Sequence, residues 1–197
     1  MAFWSENFDG SKIKDPKRKF RFIVSFSALK TNEGGPLLWM AKTAGKPAFT
    51  ISETTHEYLN HKFYYPGRTE WETVDIVVVD PGNEGSDMAA NFSQIVSNAG
   101  YTPPSSAADL ISMSKKSAVT SLGTVLVSQV DAEGKPLETW TLWNAFITAV
   151  KYGDLDYSSD ELNEVTVTLR YDWARLETSS PAVLSTGDSS TDGIFKP

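Results

Sequence analysis

Two histidines, one acidic run and a scatter of serines and glutamates are what this 197-residue chain offers for chemistry on a ligand. His56 and His61 are its only imidazoles. To share a metal they would need to lie on one side, and on a single strand a spacing of five puts them on opposite faces, so they read as two polar loop or strand histidines. Asp154, Asp156, Ser158, Asp160 and Glu161 begin like a calcium loop, which takes oxygen ligands at alternate positions, a glycine at the sharp turn and a bidentate glutamate at its end. Ser159 stands in the glycine's place and Val165 in the glutamate's, so the run reads as a turn of solvated carboxylates. Ser105 and Ser106 lack a Gly-x-Ser-x-Gly context, and no glycine-rich phosphate cradle occurs. Asn91-Phe92-Ser93 has glycosylation spacing but falls inside a predicted helix. Glu53 with Glu57, or Glu70 with Glu72, would make an acid–base pair only beside groups that handle a sugar or a carbonyl, and none adjoins them. With no cysteine there is no disulfide, thiolate nucleophile or cysteine metal site. The expectation is a protein with no catalytic residue, no metal site and no cofactor.

The elements that must position these residues are mostly strands. Phe20, Phe22, Val24 and Phe26 alternate as the first, and Glu33 to Pro36 breaks it. Leu37–Lys42 and Phe49–Thr55 follow. His56–Tyr65 is aromatic-rich and reads as a hairpin or an extended loop, with Pro66-Gly67 as the turn before a long strand over Thr69–Val79. That strand is apolar on both faces in its second half, as a central strand is. Met88, Phe92, Ile95, Val96 and Ala99 recur at helical spacing after Ser86 as N-cap and before Gly100 as stop. A short second helix is predicted from Ser106 to Met113. Leu122–Val130 and Leu137–Lys151 read as strands joined by a turn over Asp131–Pro136. The last strand is predicted from Leu162 to Leu176, with Val165, Val167, Leu169, Tyr171 and Trp173 on the core face and Thr166, Thr168 and Arg170 on the other. The organisation is an N-terminal arm over 1–19, a β domain over 20–177 and a flexible, Ser/Thr/Gly/Asp-rich tail over 178–197.

Hydrophobic residues at 40% and aromatics at 12% suffice for a folded core. The net charge of −7 disfavours binding to a nucleic-acid backbone. No segment approaches the roughly 20 apolar residues that span a bilayer, and the first twenty hold no run of signal-peptide length.

Particular words in this sequence point further. Trp143-Asn144-Ala145, Gly153-Asp154-Leu155-Asp156-Tyr157-Ser158-Ser159, Val165-Thr166-Val167-Thr168 and Tyr171-Asp172-Trp173 together resemble the C-terminal half of tail tube proteins of contractile, myovirus-type phages, a superfamily that includes type VI secretion tubes. Phe63-Tyr64-Tyr65-Pro66-Gly67-Arg68, followed by Trp71, Val74 and Ile76, is similar to that family's central segment. The likeness covers roughly residues 18 to 177. It departs at Phe146, where the family commonly has proline, in the long Asp80–Leu122 region, and at both termini.

The resemblance implies a mostly β (α+β) fold: two packed antiparallel sheets forming a sandwich or half-barrel, flanked by one main helix. It implies hexameric rings with a continuous inner β-barrel, stacked into a tube through which DNA passes without specific binding. Sheath, baseplate and tube-terminator proteins would be the partners, and the virion tail, assembled in the host cytoplasm, the location. A baseplate or tube-terminator ring, or a secretion-system tube, would use the same fold. From other classes, a small β-barrel hydrolase and a sugar-binding sandwich with exposed Trp39 or Trp140 remain as alternatives. The expected subunit-interface residues are Tyr58, His61, Phe63, Tyr64, Tyr65 and Arg68, because the segment is too apolar for a free loop, and Asp154 and Asp156 as turn acids near a subunit boundary.

Overall fold

Strands with one buried face form two main sheets, and an aromatic-rich hairpin forms a separate two-stranded ribbon. The computed structural model describes residues 16–29, 40–82, 87–104 and 112–179. One antiparallel sheet runs in the order β1 (Phe22–Phe26), β6 (Val125–Val130), β7 (Pro136–Trp143), β10 (Trp173–Thr178). The second runs β2 (Ala41–Ala44), β5 (Val74–Val79), β9 (Glu164–Arg170), β8 (Phe146–Lys151), and β3 (Phe49–Tyr58) pairs only with β4 (His61–Trp71). Two helices accompany them, α1 (Met88–Asn98) and α2 (Lys115–Leu122). The fold is mostly β, as expected; among the described residues neither sheet closes into a barrel.

The core lies where the alternating faces meet. On the second sheet Val74, Ile76 and Val78 stand directly opposite Leu169, Val167 and Val165, and all six are buried. Val24, Phe26, Val125, Leu142 and Ala174 of the first sheet join the same cluster. Each such aliphatic side chain contributes about 2 kcal/mol by leaving water. Helix α1 adds Met88, Phe92 and Ile95, one stripe at helical spacing, and the Phe92 ring meets Phe26 edge-on at 6.0 Å.

Local chemistry sets the helix ends. The Asp87 carboxylate caps α1 by accepting from Ala90 N–H at 2.8 Å. The cap is therefore one residue beyond the expected Ser86, which lies outside the described residues. Gly100, at φ +110, ends the helix as predicted. Helix α2 has no counterpart in the sequence reading, because its KKSAVTSL carries a weak apolar stripe and β-branched residues that favour strand. Ser114 caps it through Ser117 N–H at 3.1 Å, and Gly123, at φ +72, stops it. The predicted Ser106–Met113 helix falls largely outside the described residues, as do most of the 1–19 arm, Leu37 to Trp39, and all of the tail beyond Ser179.

Three predicted long strands are each broken in two. Leu137–Lys151 divides at Asn144-Ala145 into β7 and β8, and Leu162–Leu176 divides at Tyr171-Asp172 into β9 and β10, so both chains cross from one sheet to the other. Asn144 turns through φ +53, and its side-chain amide donates to Asp172 at 2.8 Å, while Asp172 N–H donates to the Trp143 carbonyl at 3.0 Å. Lys115 of α2 bonds both Asp172 oxygens at 2.7 Å; this bond, aided by Asn144, holds the carboxyl below its ordinary range despite partial burial. Beyond the corner the inward–outward phase is lost. Val165, Val167, Leu169 and Tyr171 are buried as expected, but Trp173 is 48% exposed and stacks on Trp143 at 6.3 Å instead of entering the core. The third break, at Glu72-Thr73, separates β4 from β5.

Candidate subunit interface

The segment with the densest aromatic content is a two-stranded ribbon. Tyr58 pairs with His61 across a two-residue turn of Leu59 and Asn60, and the ladder continues through His56↔Phe63 and Thr54↔Tyr65. Pro66-Gly67 is not the turn. It sits within β4 at a bulge opposite Ser52, whose hydroxyl accepts from Arg68 N–H at 2.9 Å. A Cβ on Gly67 would stand 2.4 Å from that hydroxyl, which is why the close approach needs glycine. Sequence reasoning favours Pro-Gly as a turn signal. The actual turn instead places Leu59 at φ +52, a left-handed conformation disfavoured for a branched side chain.

Every residue from Phe49 to Glu70 is exposed. Ten-residue strands at about 3.3 Å per residue make a ribbon on the order of 30 Å long. Among the described residues, its root is fastened. Phe49 packs on Trp71 at 5.1 Å and Trp71 on the buried Tyr171 at 5.9 Å. Lys46, just before β3, donates to Gln129 at 2.8 Å and pairs with Glu138, a side chain only 9% exposed that Lys17 also pairs with. Burial alone would raise the Glu138 carboxyl, but hydrogen bonds and charge from Lys17 and Lys46 outweigh it and hold the carboxyl below its ordinary value.

Residues directly opposite share a face, so the register sorts the ribbon. Thr54, His56, Tyr58, His61, Phe63 and Tyr65 form one face; Glu53, Thr55, Glu57, Lys62, Tyr64 and Pro66 form the other, where Lys62 pairs with Glu57 at 2.7 Å. The two histidines therefore lie on the same face, contrary to the single-strand expectation, because the turn between them folds the chain back. Among the described residues no group of three or more His, Asp or Glu is placed to hold a metal ion, and no helix is long and apolar enough to cross a membrane.

Five of the expected interface residues, Tyr58, His61, Phe63, Tyr64 and Tyr65, thus occupy the outer part of the ribbon, and Arg68 sits at its bulge. Asp154 and Asp156 are elsewhere, in the loop between β8 and β9. Asp156 accepts from both the amide and the hydroxyl of Ser158 at 2.9 Å, and the amide bond first among these lowers its carboxyl. This is turn chemistry, as the sequence suggested. The ribbon joins the second sheet at the Val74↔Leu169 end of the β5–β9 ladder, and the acidic loop emerges at the Val79↔Glu164 end. The predicted residues therefore belong to two elements that leave the sheet about 17 Å of strand apart. Leu59, within the apolar His56–Tyr65 segment expected at an interface, is 86% exposed; Leu155 at 91% and the fully exposed Tyr157 were absent from the expected set. Apolar residues inside an otherwise acidic loop were the signal available for these two. Trp140, an alternative sugar platform, turns its indole nitrogen into the sandwich instead; Trp39 lies outside the described residues.

No protein-family model and no curated protein sequence matches the chain. Its fold does have solved likenesses. It superposes with a TM-score of 0.60 and 16% identity on a chain of the anti-feeding prophage tube-terminating cap, over 91% of this chain and 100% of that one. A chain of the anti-feeding prophage baseplate gives 0.59 and 17%, over 84% and 98%. A chain of the sheath–tube complex of the PVC extracellular contractile injection system gives 0.52 and 18%, over 84% and 94%. This chain therefore shares its fold with chains of these contractile injection particles.

Proposed function

We propose that this protein is a structural ring subunit of a contractile tail or injection particle, acting through assembly and not through catalysis. The observation that carries the reading is the ribbon: more than twenty consecutive residues, rich in tyrosine and phenylalanine, exposed on both faces. An isolated two-stranded ribbon is marginal in water, and apolar surface of this extent marks an interface. Among the described residues the sandwich also ends in edge strands at β1 and β10 of one sheet and at β2 and β8 of the other. Open edges template pairing with further copies, and closure into a ring removes them. Six copies per ring, with strands of neighbours continuing one inner barrel, would satisfy these edges. Rings stacked into a tube would form the conduit for DNA in a phage tail, and a net charge of −7 per subunit would keep a polyanion from sticking to its wall. Sheath, baseplate and terminator proteins are the partners of such a tube.

A second reading is a ring that closes the tube or starts it at the baseplate. The likeness to the tube-terminating cap spans more of this chain than the likeness to the sheath–tube complex does, which favours it. Electron microscopy and native mass spectrometry of the purified protein test both. Hexameric rings that extend into hollow tubes are expected of a tube subunit, single rings of a terminal one, and a protein that stays monomeric at high concentration overturns the ring reading altogether.

A further inference from the structure

We propose that the His/Tyr face of the ribbon docks on the acidic β8–β9 loop of a second copy, so that subunits join head to tail. The proposal rests on the ring reading and specifies which surfaces meet between successive rings. Its first support is position. The ribbon and the loop leave opposite ends of the same β5–β9 ladder, so a contact between them is heterologous and passes head to tail from one copy to the next.

The second support is what each surface lacks. Between Tyr152 and Asn163 the loop carries Asp154, Asp156, Asp160 and Glu161 and no Lys, Arg or His. Leu155, Tyr157 and Leu162 are exposed beside them. Loop-to-loop contact would set four carboxylates against four, which excludes the tail-to-tail arrangement. The ribbon face supplies the complement. His56, Tyr58, His61 and Tyr65 present ring N–H and O–H donors on one side of the ladder, with Phe63 among them. Lys62 and Glu57 neutralise each other on the opposite side. Carboxylates accept what this face donates, and Leu155 and Tyr157 can pack on its rings. One heterologous contact thereby covers both patches, whereas ribbon-to-ribbon contact would leave every loop uncovered.

The test uses exposed positions, so folding is not at stake. In one full-length variant His56→Glu and His61→Glu make the ribbon acidic; in another Asp154→Lys and Asp160→Lys make the loop basic, with Asp156 left to hold Ser158. Each variant alone is expected to form normal rings and to stack at least ~10-fold more weakly, about the loss from one hot spot. Mixing the two restores stacking, because acidic ribbon then meets basic loop and native ribbon meets native loop. Ring formation is read by native mass spectrometry and stacking by sedimentation. Rings that stack undiminished in either variant, or a mixture that stays unstacked, overturn the proposal while the ring reading stands. Wild-type protein that forms no rings overturns both.

Discussion

Strands β9 and β4 are both long and rich in apolar residues, yet they end in opposite environments. In β9 the apolar residues keep to one face and that face is dry, with Val165, Val167 and Leu169 fully buried. In β4 they occupy both faces, Phe63 and Tyr65 on one and Tyr64 on the other, and all of them meet water. A single apolar face can be satisfied by the chain's own second sheet. Apolar residues on both faces of a ribbon held at its root have, among the described residues, no second sheet of this chain to cover them. Under the ring reading proposed above, the contrast separates what holds the subunit together from what would hold subunits to each other.

The largest expected effect breaks that contrast if it fails. Ile76→Ala, in the middle of the β5–β9 ladder, should destabilise the isolated subunit by about 2–5 kcal/mol in urea unfolding. Phe63→Ala should cost about 0.5 kcal/mol or less in the same experiment, as exposed substitutions do, and act on assembly instead. Equal losses from the two would mean that the ribbon belongs to the core.

An intermediate effect concerns the ribbon's root. A carboxyl whose folded pKa is depressed adds stability above its unfolded value and loses it as pH falls through the folded one. Glu138 is of this kind, so stability should fall as the pH drops below the ordinary glutamate value of 4.5. Glu138→Gln should remove about 2 kcal/mol at neutral pH and flatten the acid limb of a plot of melting temperature against pH. An unchanged limb would show that Lys17 and Lys46 do not fasten the root through this carboxylate.

The smallest effect sharpens the comparison at the tip. Leu59→Gly should relieve about 1 kcal/mol of left-handed strain and increase hydrogen-exchange protection in the outer ribbon. Assembly should weaken at the same time if Leu59 is kept there for contact. A gain in both protection and assembly would make Leu59 mere strain.

How much of this was legible beforehand follows from the same contrast. The buried faces of β5 and β9 and the α1 stripe were readable, because burial inside one chain imposes a period. The breaks at Asn144 and Asp172 were not, since no glycine or proline marks them and apolar residues continue past both. Nor was the true turn at Leu59-Asn60, where no glycine or proline announces the reversal. The candidate interface residues were chosen by composition, but their division between the ribbon and the β8–β9 loop depends on strand pairing, which a period cannot supply.

The short link at Glu72-Thr73 joins the ribbon directly to β5, and β5 lies between β2 and β9 with ladders on both sides. Tension on the ribbon tip would therefore run into a strand whose hydrogen bonds stand across the line of pull. Such bonds are loaded together and must break together, instead of one after another as in a peeled edge. Any load carried by the ribbon would enter the subunit through a strand held on both sides.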